Sequence, residues 1–225
     1  MPTLTKLFHA CFVVTADNGR KLAVDPSEMA TDFTADGDFD AVVFTHAHAD
    51  HFSLAHLSAL IKQNPALTVF ASADTARLIP QVLTENVCVP ETGTLYQLTN
   101  FTVSFFGSRH AHIIAGDDKG DNIGVVVNQQ LVYSGDSFEL PEPEQLKAAP
   151  VFALPTTGPW LKIGDSVDML RAAVQKLGVP KLVFPIHDGI GGDFDAKMSQ
   201  QILPEEAEKL GTQIRFLAPN ESISL

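Results

Sequence analysis

Three histidines and an aspartate lie within the six residues HAHADH, from position 46 to position 51, directly after the apolar run at residues 41–44. In an extended segment alternate side chains point the same way, so His46 and His48 can reach one metal ion together. Asp50 shares their parity, whereas His51 points elsewhere and suits a neighbouring ion. Imidazole and carboxylate groups bind zinc, manganese or iron. Because the chain has only eight histidines, this cluster favours a metal site over a solvated polar loop.

Further candidate ligands follow other apolar runs. SRHAHI carries His110 and His112 after FTVSFF, YSGDS carries Asp136, and FPIHDG carries His187. Side chains at the ends of strands can converge on one rim of a sheet. An aspartate after a strand is also a common turn former, but beside HAHADH the interpretation of Asp136 as a functional residue is favoured.

Short β-branched runs and helical segments are mixed through the whole chain, which indicates an α/β protein. Ser53 is predicted to cap one helix, and a second helix is predicted to open at Asp165 and end at Gly178. Without a linker or repeat, a single domain over residues 1–225 is expected. The predicted strands are residues 6–8, 12–15, 21–24, 41–45, 68–71, 101–106, 123–127, 131–133, 151–154, 181–185 and 214–217.

Composition and charge restrict the partners. The 27 acidic and 15 basic residues give a net charge of −12, and such a field repels nucleic-acid phosphates and anionic lipids. No apolar stretch has the length of a transmembrane helix, and the N-terminal segment lacks a charged leader. Cys11 and Cys88 stand apart and fit a reducing compartment. We expect a cytoplasmic protein with a small-molecule substrate and no nucleic-acid or membrane partner. Whether the protein forms a homo-oligomer stays open.

The segments HAHADH, SRHAHI, YSGDS and FPIHDG together resemble the metallo-β-lactamase superfamily of metal-dependent hydrolases, over almost the whole chain. The resemblance implies an α/β fold of the four-layer αββα type, with two mixed sheets flanked by helices. The segment LPTTGPWLKIGDSVDML, followed by FPIHDG, further resembles a small lactonase-like subgroup related to ascorbate-6-phosphate lactonase.

The resemblance also implies two neighbouring metal sites that share one ligand. The first site takes two histidines of HAHADH and one of SRHAHI, where His110 matches the family position better than His112. The second site takes the aspartate and the last histidine of HAHADH with the histidine of FPIHDG, and Asp136 bridges both ions. The implied ligands are His46, His48, Asp50, His51, His110, Asp136 and His187.

Other residues are expected near this site. DPS matches a family motif whose Asp25 lies next to the metal-binding loop. Trp160 fits either a loop over the metals or the core, and His112 fits the pocket or the surface. His9, in FHACF, fits either a position next to the pocket or a structural role, and the structural role is favoured. We interpret His56 as part of a solvated helix face.

Two divalent ions, zinc in the first place with manganese or iron as alternatives, would bind a bridging hydroxide and polarise a carbonyl or phosphoryl oxygen. We therefore expect hydrolysis of a small-molecule ester, lactone, thioester or phosphodiester. The implied catalytic residues are Asp136, which holds the ions together, and Asp50, which orients the attacking water or accepts its proton. A metal-dependent oxidoreductase and a metal-binding module without turnover are the alternatives.

Overall fold

The computed structural model describes residues 1–114 and 120–225, apart from the side chain of Thr84. Its first sheet has seven strands in the order β13-β1-β2-β3-β4-β5-β6. These strands are β1 (Thr3–Lys6), β2 (Phe12–Thr15), β3 (Lys21–Val24), β4 (Phe39–Phe44), β5 (Thr68–Ala71), β6 (Val87–Cys88) and β13 (Ser222–Ser224).

The second sheet has six strands in the order β12-β11-β10-β9-β8-β7. These strands are β7 (Leu95–Gln97), β8 (Thr102–Phe106), β9 (Gly124–Val127), β10 (Leu131–Tyr133), β11 (Val151–Pro155) and β12 (Leu182–Ile186). Both sheets combine parallel and antiparallel pairs.

Four α-helices accompany the sheets in the described part of the chain: α1 (Leu54–Gln63), α2 (Ala73–Leu78), α3 (Ile163–Leu177) and α4 (Asp193–Lys209). As predicted, the Ser53 side chain caps α1 by accepting the backbone N–H of His56, and Gly178 ends α3. None of the described helices is both long and apolar enough to cross a membrane.

Three apolar layers hold these elements together. Between the sheets, Phe12 of the first sheet packs edge-on against Tyr133 of the second, with ring centroids 5.6 Å apart. On the outer face of the first sheet, α1 buries Leu57. On the outer face of the second, α3 and α4 bury Leu170 and Leu203. The order helix, sheet, sheet, helix confirms the predicted four-layer sandwich.

Strand direction brings the candidate ligands to one edge of each sheet. In the first sheet β3 and β4 are parallel, and β1 runs the same way because both it and β3 are antiparallel to β2. In the second sheet β10, β11 and β12 are parallel, and β8 runs with them because both β8 and β10 are antiparallel to β9. The segments after these seven strands carry, in chain order, His9, Asp25, HAHADH, His110, Asp136, Thr157 and His187.

The predicted strands at residues 12–15, 21–24, 68–71 and 131–133 coincide with β2, β3, β5 and β10. The strand predicted at residues 214–217 was wrong, because this segment makes only an isolated bridge between Ile214 and Val183. Helix α4 was not predicted. Its apolar pattern is weak, because the helix contains Pro204 and has three buried residues, Ser199, Leu203 and Ala207.

Candidate metal centre

Candidate ligand atoms converge in two groups within the described residues. In each group, one nitrogen or oxygen atom from every member lies within 4.8 Å of those of the others. The structure thus brings together all seven ligands implied by the sequence and adds His9. The first group is His46, His48, His110 and Asp136, and the second is His9, Asp50, His51 and His187.

Asp136 lies between the two groups. Its Oδ1 atom is 3.1 Å from Nε2 of His51 and 3.2 Å from Nε2 of His187. Its Oδ2 atom is 3.3 Å from Nε2 of His110 and 3.8 Å from Nε2 of His46. One carboxylate oxygen therefore faces each group, as a ligand shared by two ions requires.

Hydrogen bonds on the far side of three imidazoles determine which nitrogen faces the centre. Nδ1 of His51 lies 2.7 Å from Oδ2 of Asp25, and Nδ1 of His110 lies 2.6 Å from the backbone oxygen of the next residue. Nδ1 of His187 contacts the backbone oxygen of Thr157. Because these oxygens only accept, Nδ1 of each ring keeps a proton, so Nε2 is the nitrogen that can bind a metal ion once it is deprotonated.

Thr45 extends this arrangement to the first group. Its backbone N–H and its hydroxyl donate to Oδ1 and Oδ2 of Asp25 at 2.8 and 2.7 Å. With its own proton committed to Asp25, the Thr45 hydroxyl accepts from Nδ1 of His46 at 3.1 Å. His46 therefore also presents Nε2 to the centre, where it lies 3.1 Å from Nδ1 of His48.

The residues fit divalent cations. Nε2 of His51, His110 and His187 and Oδ1 of Asp136 are all buried without a hydrogen-bond partner. Leaving such atoms unsatisfied is costly, and four of them aimed at one region need a shared positive partner. Asp25 and Asp136 are also buried carboxylates, and the ion pairs described for them involve histidines alone. A cation at each group would give the buried atoms a partner and would balance the buried negative charge.

The electrostatic environment differs between the groups. In the first group, burial lowers the pKa of His46 well below its ordinary value, and burial also lowers the pKa of His48. Both rings are therefore neutral near pH 7. In the second group, burial alone would lower the pKa of His187, but the negative charge of Asp136 outweighs it and raises the pKa to about 9. Protons therefore compete with metal ions most strongly at the second group.

His9 donates a hydrogen bond within the second group. Its Nδ1 accepts the backbone N–H of Gly189 at 3.0 Å, so the neutral ring carries its proton on Nε2, which lies 3.3 Å from Oδ2 of Asp50. His9 and His187 both have a left-handed backbone, with φ of 59° and 55°, and the N–H of His187 donates to the backbone oxygen of His9. This conformation is rare for non-glycine residues. The contact with Asp50 agrees with the position next to the pocket, which the sequence had left as the less favoured alternative for His9.

The other residues expected near the site have separate positions. The Trp160 ring is 6.1 Å from the ring of His110 and 5.9 Å from that of His187, and its buried Nε1 has no hydrogen-bond partner. It is thus both buried and adjacent to both groups. His112 is exposed and lies outside both groups. The expectation for His56 was wrong, because this residue is half-buried and its ring donates to a backbone oxygen of the loop after β3.

Sequence reasoning missed three residues that hold the candidate ligands. Thr45 directly precedes HAHADH and Thr157 lies within LPTTGPWLKIGDSVDML, yet nothing in their spacing marks them as partners of ligands. Asn122 accepts the backbone N–H of Asp136 at 2.9 Å and donates to the backbone oxygen of Ser134 at 2.8 Å. Asn122 lies in no recognisable motif, so only the folded chain shows its role.

The chain matches the Beta-lactamase superfamily domain over residues 3–187, a range that includes every candidate ligand. Protein Rv0786c of Mycobacterium tuberculosis is 30% identical in an alignment 220 residues long, which covers 91% of this chain and 97% of that protein. The chain therefore belongs to the β-lactamase superfamily.

Solved structures agree on the fold. The metallo-β-lactamase fold protein YhfI from Bacillus subtilis has a TM-score of 0.68 at 14% identity, covering 99% of this chain and 98% of its own. The isothiocyanate hydrolase from Delia radicum gut bacteria has a TM-score of 0.67 at 18% identity, with the same coverages. The diiron β-hydroxylase CmlA from Streptomyces venezuelae has a TM-score of 0.68 at 14% identity, covering 100% of this chain and 54% of its own. These similarities show a shared metallo-β-lactamase fold.

Proposed function

We propose that this protein is a dinuclear metal-dependent hydrolase that acts on a small molecule through an ester, lactone, thioester or phosphodiester bond. The observation that carries the proposal is the position of Asp136, whose two carboxylate oxygens face two separate groups of buried ligands. The isothiocyanate hydrolase of the same fold is a hydrolase by name, which supports the same reaction class.

The proposed ligands are three histidines at the first site (His46, His48 and His110), Asp50, His51 and His187 at the second, and Asp136 at both. Zinc is the expected metal, and the same nitrogen and oxygen donors suit manganese or iron. When bound, such ions would lower the pKa of a coordinated water towards about 7 and polarise the substrate oxygen.

The chain's own residues then orient and exclude water. Asp50 has one carboxylate oxygen held by the Nε2–H of His9, and its side chain is 23% exposed, so its position suits acceptance of a proton from the attacking water. Trp160 lies against both groups and restricts access of bulk water. The similarity of LPTTGPWLKIGDSVDML and FPIHDG to lactonase-like hydrolases makes lactones the first substrates to test.

The test combines metal analysis with a substrate panel. Protein purified without added metal is analysed for bound ions and assayed against lactones, thioesters, phosphodiesters and β-lactams. Asp136→Ala should lose at least one ion and nearly all turnover. Ser137→Ala, which alters the adjacent buried hydroxyl and leaves every proposed ligand in place, is the matched control. Wild-type turnover in Asp136→Ala would reject the bridging role, and a metal-loaded wild type inactive on the whole panel would oppose the hydrolase proposal.

A metal-dependent oxidoreductase is the second candidate. The diiron β-hydroxylase CmlA shares the fold, and the donor set suits iron as well as zinc. Iron-loaded protein that consumes oxygen in the presence of a reductant would favour this candidate over the hydrolase. A metal-binding module without turnover would retain the ions and show neither activity.

A further inference from the structure

A cavity of about 540 Å³ adjoins the second ligand group. Gly158 lines the cavity and also borders the metal centre, since a β-carbon on it would lie 3.3 Å from Cε1 of His187 and 2.9 Å from Nε1 of Trp160. Thr157, whose backbone oxygen contacts the His187 ring, lines the same cavity. The volume is within the usual range for small-molecule pockets, so this cavity can hold part of a ligand next to the second group.

Apolar side chains form one part of the cavity wall, and the polar residues Thr156, Thr157 and Ser199 also line it. Phe194 and Met198 lie four residues apart on α4, which places them on one face of the helix. Phe194 is 73% exposed and Ile190 is 41% exposed, and large apolar side chains exposed around a cavity mark a binding surface. The apolar lining residues are Pro159, Leu161, Ile163, Ile190, Phe194 and Met198.

The charges in the cavity offer little attraction to an anion. Its two charged lining residues, Lys162 and Asp195, have opposite signs. Asp195 also accepts the backbone N–H of Gly192 at the start of α4, which fixes its carboxylate there. The chain as a whole carries a net charge of −12, so an uncharged ligand fits this cavity better than an anionic one.

We propose that this cavity binds an uncharged alkyl or aryl group of the substrate and thereby sets the specificity of the adjoining centre. The inference rests on the proposed function, because it assumes that the substrate spans from the cavity to the two ligand groups, where its bond is cleaved. The indole N–H of Trp160, buried and without a partner at this junction, can donate to a polar atom of the substrate. The substrate class is therefore an ester, thioester or lactone with an apolar chain or ring.

The test measures binding of non-hydrolysable probes to the zinc-loaded protein by calorimetry. Acetohydroxamate and octanohydroxamate share a metal-binding group and differ in the length of the alkyl chain. Wild-type protein should bind octanohydroxamate at least about tenfold more tightly, because burial of the added methylenes is favourable. Phe194→Ser, which removes an apolar wall, and Met198→Trp, which fills the space, should each reduce that preference at least about threefold with little change for acetohydroxamate.

Val179→Ser is the matched control, because Val179 is 44% exposed and follows the far end of α3. It should retain the full preference. Equal binding of the two probes by wild-type protein, or no binding of octanohydroxamate, overturns the proposal. So does a preference that Phe194→Ser and Met198→Trp leave unchanged. A loss seen only in Lys162→Met would assign the cavity to an anionic group and overturn it too.

The binding and turnover measurements separate the two proposals. Chain-length preference without hydrolysis of any substrate in the panel would reject the proposed function and keep the assignment of the cavity. Hydrolysis without chain-length preference would reject the assignment of the cavity and keep the hydrolase.

Discussion

The Nε2 atom of His9 lies 3.3 Å from Oδ2 of Asp50, and both residues belong to the second ligand group. Since Nδ1 of His9 accepts the N–H of Gly189, the contact is a hydrogen bond from His9 to the carboxylate. Outer hydrogen bonds of this kind orient a ligand and tune its basicity. His9 is therefore a positioning residue for Asp50 and not itself a metal ligand, although one of its ring nitrogens lies within 4.8 Å of the ligand atoms of the second group.

We predict that His9→Ala weakens binding of the second ion and lowers kcat, each about 10–100-fold, with a smaller change in KM. His9→Gln retains an N–H donor and should recover part of both losses. Metal stoichiometry after chelator competition and steady-state kinetics provide the measurements. His56→Gln, which alters a half-buried histidine outside both groups, should leave both unchanged. Full occupancy and normal kcat in His9→Ala would contradict the positioning role.

Thr45 links the two ligand groups through Asp25, because it donates twice to that carboxylate and accepts from His46. Thr45→Val keeps the shape but removes the hydroxyl, leaving Oδ2 of Asp25 with one fewer donor. We predict a loss of about 1–3 kcal/mol of unfolding free energy and weaker binding at both sites.

Urea denaturation of metal-free protein and chelator titration of metal-loaded protein measure the two effects of Thr45→Val. Thr5→Val serves as the control, because the Thr5 hydroxyl makes an exposed hydrogen bond to Ser222. A Thr45→Val protein that matched this control in both measurements would show that the hydroxyl does not support the ligands.

Gly135 makes the turn that presents Asp136, with φ of 62°. A β-carbon there would lie 2.3 Å from Oδ1 of Asn122 and 2.9 Å from Cβ of Thr45. Gly135→Ala should therefore displace Asn122, which holds the backbone N–H of Asp136. We predict reduced metal content and reduced turnover together with lower stability.

Gly93→Ala separates backbone strain from this collision. Gly93 has φ of 81°, and a β-carbon added to it would meet no atom within 4 Å, so alanine there should cost about 1 kcal/mol from the backbone alone. Gly135→Ala should cost about 1–3 kcal/mol more, since the added methyl overpacks a buried site. Equal unfolding free energies for the two variants in urea would show that the space around Gly135 adjusts without cost.

The candidate ligands could be singled out in the sequence because histidine is rare in the chain and their motifs follow apolar runs. The family resemblance supplied their division into two sites, and metal binding by these residues stays a prediction. The residues that support them were less predictable. Thr45, Thr157 and Asn122 act through hydrogen bonds to side chains or backbone atoms that strand pairing brings close, and a threonine or asparagine has many other uses in a chain. His9 was underestimated for the same reason, since Asp50 is its neighbour only in the folded chain.

The fold was predictable to a similar degree. Strands with short apolar runs, such as β2 and β3, were located at their observed bounds. Helix α4 was missed because it contains Pro204, a residue that usually breaks helices, and because few of its residues are buried. The strands β6 and β7 contain two and three residues, too few for a periodic pattern. Their pairing depends on neighbouring strands rather than on their own sequence.

The pKa of His187 predicts how pH affects the two forms of the protein. In metal-free protein this pKa is raised from 6.5 to about 9, because the lowering of the pKa by burial is outweighed by the negative charge of Asp136. Its stabilising contribution is therefore complete below pH 6.5 and is lost as pH rises through 9. Metal binding requires the deprotonated ring, so the stabilisation by metal grows over the same interval.

We therefore predict that the difference in Tm between zinc-loaded and metal-free protein widens from pH 6.5 to pH 9. Thermal unfolding of dialysed samples at the two pH values, with and without zinc, measures it. In His187→Asn the widening should become smaller, because one of the competing protonation sites is removed. A difference in Tm that stayed constant or narrowed as pH rose would show that protons and metal ions do not compete at His187.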